Sequence, residues 1–71
     1  MTNNKLQISL KAARVNSNMT QDDVCKIMHI TNRTLVNWEN GHVKIPFISL
    51  TALSNLYKIP IDNIFLGEKS T

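Results

Sequence analysis

Two threonines, Thr20 and Thr31, limit what this chain can fold into, because each is placed to begin a short helix. A threonine side chain at a helix N-terminus accepts a hydrogen bond from a backbone N–H that would otherwise have no partner. Apolar residues follow Thr20 at helical spacing as far as Met28, and only His29 and Ile30 separate that segment from Thr31. The sequence therefore predicts two helices of about eight or nine residues, joined by a turn of about three residues.

Periodic apolar residues predict further helices on both sides of this pair. The first helix covers about residues 4–16 and begins with a capping box, in which Asn4 caps and Gln7 reaches back to it. A fourth helix ends before Pro60, and a last short one covers residues 61–66. The chain contains only two Gly and two Pro, so few residues interrupt these segments. The prediction is an all-α domain of five short helices.

The length of the chain limits its stability. Its 71 residues form one domain, with an ordered core over about 4–66 and a frayed tail over 67–71. So short a chain has a small core, and a disulfide, a metal or a partner subunit usually adds to its folding free energy. Cys25 is the only cysteine and is expected to be a core thiol, while His29 and His42 have no second thiol to share a zinc ion. We predict no metal and no cofactor. Since a single cysteine cannot form a disulfide within the chain, a partner subunit is the remaining source of added stability.

Charge and hydropathy narrow the class of protein. The net charge is +3 and the isoelectric point about 9.4, which is compatible with nucleic-acid binding. No apolar run approaches the roughly 18 residues of a membrane span, so we expect a cytoplasmic protein. The adjacent carboxylates Asp22 and Asp23 splay about 100° apart on a helix, with no nucleophile at a useful spacing. Helix capping accounts for them, and we expect no enzyme activity.

The third predicted helix, Asn32 to about Asn40, has an outer face suited to bases. Leu35 and Trp38 lie three residues apart and point inward. The outward residues are Asn32, Arg33, Val36 and Asn37. Arg pairs with guanine, Asn with adenine, and a small apolar side chain contacts the thymine methyl. A solvated face that happens to be short of acids is the alternative. The pattern favours a helix-turn-helix of helices two and three, whose second helix enters the major groove.

Several short motifs follow one another in a recognisable order. They are Arg14, the pair Thr20-Gln21, the turn into Thr31, the run Trp38-Glu39-Asn40-Gly41, Pro46, and the segment from Leu56 to Leu66. A spacer of 17 residues separates Thr-Gln from Glu-Asn-Gly, and this combination is more specific than any single motif. Over roughly residues 5–66 the chain resembles the phage repressor/Cro-type helix-turn-helix regulators. The resemblance implies a compact five-helix, lambda-repressor-like DNA-binding domain.

This resemblance also implies roles for individual residues. Contacts to DNA phosphates would come from Thr20, Gln21, Thr31, Asn40, His42 and Lys44. Gln21 would in addition brace Asn32, the first residue of the recognition helix. Arg14 and Glu39 match positions that form a buried ion pair, so their role would be structural. Three positions depart from the family pattern: His29 replaces a usual Gly, Cys25 a usual Ala, and Pro60 a usual N-cap Ser.

The function implied is sequence-specific regulation of transcription from double-stranded DNA. We expect a complete Cro-like phage or prophage repressor, acting as a homodimer on a palindromic operator, with a protein antirepressor as a further candidate partner. Apolar residues in excess of one small core predict a dimer surface at Phe47, Ile48, Ile61, Ile64, Phe65 and Leu66. Two alternatives stay open: an antitoxin or other protein-interaction module on the same fold, and the DNA-binding domain of a longer repressor.

Overall fold

The computed structural model describes residues 7–66, and of Phe65 the backbone alone. This part of the chain contains four α-helices, one turn of 3₁₀ helix and a pair of two-residue strands. In chain order they are β1 (Ile8–Ser9), α1 (Leu10–Asn16), α2 (Gln21–Met28), α3 (Asn32–Glu39), α4 (Phe47–Tyr57), the 3₁₀ turn (Ile61–Asn63) and β2 (Ile64–Phe65). The predicted bounds of the second, third and fourth helices are confirmed to within a residue or two.

Both threonine caps form as predicted. The Thr20 hydroxyl accepts from the backbone N–H of Asp23 at 3.0 Å, and the Asp23 carboxylate accepts from the backbone N–H of Thr20 at 2.9 Å. This reciprocal pair is a capping box, and the hydrogen bond from the Thr20 backbone lowers the pKa of the Asp23 carboxyl. The Thr31 hydroxyl accepts from the backbone N–H of Thr34 at 3.1 Å. Local side-chain chemistry thus determines where α2 and α3 begin.

The first helix begins later than the sequence predicts. Its N-cap is Ser9, whose hydroxyl accepts from the backbone N–H of Ala12 at 3.0 Å. The predicted capping box was wrong, because Gln7 lies before the helix and its side-chain amide donates to the carbonyl of Asp62 at 3.3 Å. Asn4, the predicted cap, lies outside the described residues.

The two ends of the described segment pair with each other. Strands β1 and β2 run parallel, with Ile8 opposite Ile64 and Ser9 opposite Phe65. This pairing holds residues 8–9 in an extended conformation and explains why α1 starts only after them. The predicted fifth helix is likewise wrong, since Pro60 begins a single 3₁₀ turn without a side-chain cap and the chain then extends into β2. The fold is therefore four α-helices closed by a small parallel strand pair.

One cluster of apolar side chains forms the core, and every helix contributes to it. The buried members are Leu10, Ala13, Val24, Cys25, Leu35, Trp38, Ile45, Leu50, Leu53, Tyr57 and Ile64. The predicted inner face of the third helix is confirmed, since Leu35 and Trp38 are both buried. Cys25 is buried and free, as expected of a core thiol.

Left-handed backbone follows α2 at His29 and α3 at Gly41. His29 follows α2 with φ 59° and ψ 47°, and its backbone N–H donates to the carbonyl of Cys25. Histidine tolerates this region better than β-branched residues do, which explains how it replaces glycine here. Gly41 follows the last residues of α3 with φ 76°, a value at which a side chain would be strained.

Tyr57 carries a buried hydroxyl that has no hydrogen-bond partner within the described part of the chain. Burial raises the pKa of Tyr57 to about 12. The unfolded phenol has a pKa of about 10, so the neutral tyrosine contributes stability that is fully present below pH 10 and is lost as the pH rises toward 12. Leaving such a hydroxyl unpaired costs about 1–3 kcal/mol.

We therefore expect Tyr57→Phe to raise the free energy of unfolding by about 1 kcal/mol at pH 7. The advantage over the wild type should grow by about 1 kcal/mol at pH 11, because only the wild type must keep a phenol neutral in its core. Urea unfolding of both proteins at the two pH values measures this. A variant less stable than the wild type at pH 7 would mean that the hydroxyl is hydrogen-bonded, for example to a buried water.

Candidate nucleic-acid interface

Helices α2 and α3 pack against each other and are joined by His29, Ile30 and Thr31. The left-handed His29 turns the chain, and the backbone N–H of Ile30 donates to the carbonyl of Cys25 at 3.1 Å. The Thr31 cap then starts α3 at once. Since hydrogen bonds close one helix and open the next within three residues, the angle between α2 and α3 is held by local structure.

The outer face of α3 carries one charge, and it is positive. Asn32 and Arg33 are exposed, whereas Val36 and Asn37 are half-buried. The helix has a single acid, Glu39, and its side chain is only 3% exposed. A surface near DNA phosphates benefits from this arrangement, because an outward carboxylate would repel them. The four side chains that the sequence predicts as base readers therefore share a face that presents no acid.

A buried ion pair accounts for the inward turn of Glu39. Arg14 Nε lies 2.7 Å from Glu39 Oε2, and Arg14 Nη2 lies 3.3 Å from Oε1. A third donor, Nη1, reaches the carbonyl of Met19 at 3.0 Å. The hydrogen bond to Glu39 raises the pKa of the Arg14 guanidinium, which stays charged. The fork-shaped pair ties α1 and the loop before α2 to the last turn of α3.

The predicted contact between Gln21 and Asn32 is wrong, because Gln21 has a different partner. The Gln21 amide is half-buried and donates to Glu39 Oε1 at 3.2 Å, which adds it to the ion pair. Asn32 is held instead by two residues of α2. Its Nδ2 donates to Asp22 Oδ1 at 3.1 Å, and its Oδ1 accepts from Cys25 Sγ at 3.1 Å. Sequence reasoning gave Asp22 a role in helix capping alone and missed this contact.

The residues predicted to meet phosphates lie at the ends of the two helices. Thr20 and Thr31 are exposed at the starts of α2 and α3, and their hydroxyls already cap those helices. Three exposed residues, Asn40, His42 and Lys44, follow the end of α3. The loop that carries them is ordered by the Asn37 carbonyl, which accepts from the backbone N–H of His42 at 2.9 Å.

The residues predicted to form a dimer surface separate into buried and exposed groups. Ile64 is 5% exposed and belongs to the core, so its assignment to a dimer surface was wrong; the strand pair turns it inward opposite Ile8. Ile61 is half-buried against the core, and Leu66 is exposed. The side chain of Phe65 lies outside the described part of the structure. The most exposed large apolar side chains are Phe47 and Ile48, at 73% and 79%.

Residues 7–66 contain neither a candidate membrane span nor a candidate metal site. None of the helices there is both long and apolar enough to span a membrane. No cluster of His, Cys, Asp and Glu side chains there could hold a metal ion.

The sequence model of the helix-turn-helix family HTH_3 matches residues 10–64. No curated protein is significantly similar to the chain. The matched residues run from the start of α1 into β2 and include every helix described above. The chain therefore belongs to the Cro/repressor-type helix-turn-helix family of DNA-binding transcriptional regulators.

Proposed function

We propose that this regulator is a Cro-like repressor of the phage or prophage type that reads a palindromic operator as a homodimer. In this proposal α2 and α3 are the helix-turn-helix, and α3 enters the major groove. One observation carries it: the outer face of α3 presents Arg33 and amide side chains, while its only acid, Glu39, is turned into the core. An outward carboxylate at this position would repel DNA phosphates, so the burial of Glu39 suits a helix that faces DNA.

The proposal assigns base reading to the outward residues of α3. Arg33 is exposed, and its guanidinium group suits a bidentate contact to guanine O6 and N7. Asn37 suits a contact to adenine, and Val36 suits a contact to a thymine methyl group. Asn32 is the first residue of the helix. Phosphate contacts by Thr20, Gln21, Thr31, Asn40, His42 and Lys44 would set the register of α3 without reading sequence.

A dimer follows from the size of the reading helix. Three or four base contacts, each worth about 1–3 kcal/mol of discrimination, do not single out one site in a genome. Two copies related by a twofold axis would read two half-sites about 34 Å apart. Phe47 and Ile48 begin α4 and are the proposed contact between copies, because both are large, apolar and strongly exposed. Ile61 and Leu66 are the further candidates at this surface.

Ile48→Asp tests the dimer. The side chain is 79% exposed, so the monomer should fold normally, while a carboxylate at the contact should lower apparent operator affinity about tenfold or more. Sedimentation with and without operator DNA gives the association state. Ile27→Asp is the matched control, since Ile27 is an exposed isoleucine near the end of α2 that belongs neither to the proposed dimer surface nor to the proposed DNA contacts. Equal sedimentation and equal operator affinity for Ile48→Asp and the wild type would place the dimer contact elsewhere.

Selection of bound DNA from a random pool, at two salt concentrations, tests the function as a whole. An enriched palindrome with G and A in each half-site would support a dimeric regulator that reads sequence. Strongly salt-dependent binding with no enriched sequence would contradict it, because phosphate contacts alone produce that behaviour. The same fold would then be better explained as a module that binds a protein, such as an antitoxin.

A further inference from the structure

The side chain of Asn32 is already engaged within the protein. Its amide nitrogen donates to the Asp22 carboxylate and its amide oxygen accepts from the Cys25 thiol, each at 3.1 Å. Both partners belong to α2, whereas Asn32 is the first residue of α3. These two hydrogen bonds join the start of α3 to α2, across seven and ten residues of sequence.

The two partners of the Asn32 amide lie on the same face of α2. Asp22 and Cys25 lie three residues apart on α2, so their side chains project from the same face, one above the other. The nitrogen and the oxygen of the amide are thus both bonded to this face of α2. Reading adenine requires the same two groups, an N–H and an oxygen side by side on one edge. What remains of the amide is one N–H and one lone pair of the oxygen.

The protonation state of the thiol fits this arrangement. Burial raises the pKa of Cys25, so the sulfur keeps its proton and can donate it to the Asn32 oxygen. The donor at Cys25 and the acceptor at Asp22 together select one of the two orientations of the amide. With the amide reversed, the thiol would face an N–H group and the carboxylate would face an oxygen.

We propose that Asp22 and Cys25 hold the Asn32 amide against α2, so that Asn32 positions α3 rather than reading adenine. This rests on the proposed function and sharpens it, because adenine reading then falls to Asn37 and guanine reading to Arg33. Asn32 fixes the start of α3, and Arg33 follows it directly in the chain. Asn32 therefore adds no base preference of its own at the operator.

Unfolding by urea, with no DNA present, tests the contact itself. Asn32→Ala should raise the unfolding equilibrium constant about threefold in the wild type. In the Asp22→Ala background the same substitution should have a clearly smaller effect, since the partner is already gone. Asn37→Ala is the control and should act equally in both backgrounds. Equal effects of Asn32→Ala in both backgrounds would overturn the proposal whether or not the protein reads DNA.

Selection from a random DNA pool tests the consequence for sequence reading. Asn32→Ala should select the same bases as the wild type, whereas Asp22→Ala should gain an adenine at one position of each half-site, because the amide edge becomes free. The double variant Asp22→Ala, Asn32→Ala should lose that adenine again. Relative base preference is compared, since removal of an acid strengthens binding to all DNA. Cys25→Ser retains a donor and should select like the wild type.

The outcomes separate this inference from the proposed function. Loss of an adenine from the wild-type preference on Asn32→Ala would show that Asn32 reads a base, and would overturn the inference while supporting the function. A wild type that enriches no sequence would refute sequence reading altogether, and the unfolding measurements would still decide whether Asp22 holds Asn32.

Discussion

Arg14→Ala is expected to lower the free energy of unfolding by about 3–5 kcal/mol, because it leaves the buried Glu39 carboxylate without its partner. A chain of this length has a total of about 4–11 kcal/mol, so a loss of this size removes between about a quarter of it and all of it. Three donors of Arg14 are used, two on Glu39 and one on the Met19 carbonyl. Their joint loss also frees the loop before α2 from the end of α3.

Trp38 allows this loss to be measured directly. It is the only tryptophan, it is buried, and it immediately precedes Glu39, so its fluorescence should follow the packing of α3 during urea unfolding. Lys11 lies on α1, the helix that also carries Arg14. Lys11→Ala removes an exposed cation and should change the free energy of unfolding by less than about 0.5 kcal/mol. Replacing Arg14 and Glu39 together by leucine should recover part of the loss, because no charge is then stranded. A loss below about 1 kcal/mol for Arg14→Ala would contradict the structural importance of the pair.

Arg33→Ala is expected to cause the largest loss of operator binding. A bidentate contact to guanine contributes about 1–3 kcal/mol of discrimination, and a dimer makes it twice, so operator affinity should fall between about 30-fold and about 10⁴-fold. Affinity for random DNA should change far less. The selected sequence should lose its preference for one G·C pair in each half-site.

Two further variants separate base reading from charge. Arg33→Lys keeps the positive charge but loses the planar fork, and should behave nearly as badly as Arg33→Ala on the operator. Lys44→Ala should instead weaken binding to all sequences about equally and reduce the salt dependence, as expected of a phosphate contact. Competition binding against operator and random DNA gives both quantities. Equal losses on the two DNAs for Arg33→Ala would rule out base reading by this residue.

The sequence is sufficient to predict α2 and α3 because their boundaries depend on neighbouring residues. Thr20 and Thr31 cap by bonds that span three positions, and His29 ends α2 by its own backbone conformation. The pairing of Arg14 with Glu39 is a long-range contact, and only the resemblance to a known family made it predictable. Local patterns therefore predict the bounds of α2 and α3 and the burial of Leu35 and Trp38, while base reading by the outer face of α3 stays a prediction.

The start of α1 and the end of the fold depend on contacts that a local pattern does not contain. Gln7 satisfies a capping-box pattern, yet Ile8 is drawn into a strand by Ile64 at the other end of the segment. For Asn32, sorting one helix into inner and outer faces gives the right face but reveals nothing of the partners on α2. The signal was present in the sequence: Asp22 and Cys25 lie three residues apart on α2, and the amide of Asn32 begins the next helix. A comparison of spacings between the two helices could have detected it.

The parallel pairing of β1 with β2 has a consequence for the way the domain opens. Because Ile8 and Ser9 pair with Ile64 and Phe65 near the two ends of the described segment, neither strand can fray without releasing the other. Ile64 would then leave the core cluster that it shares with Leu10 and Trp38. The amides of both strands should accordingly exchange with solvent at one common rate, and any partner that tightens α3 should slow that exchange at both ends together.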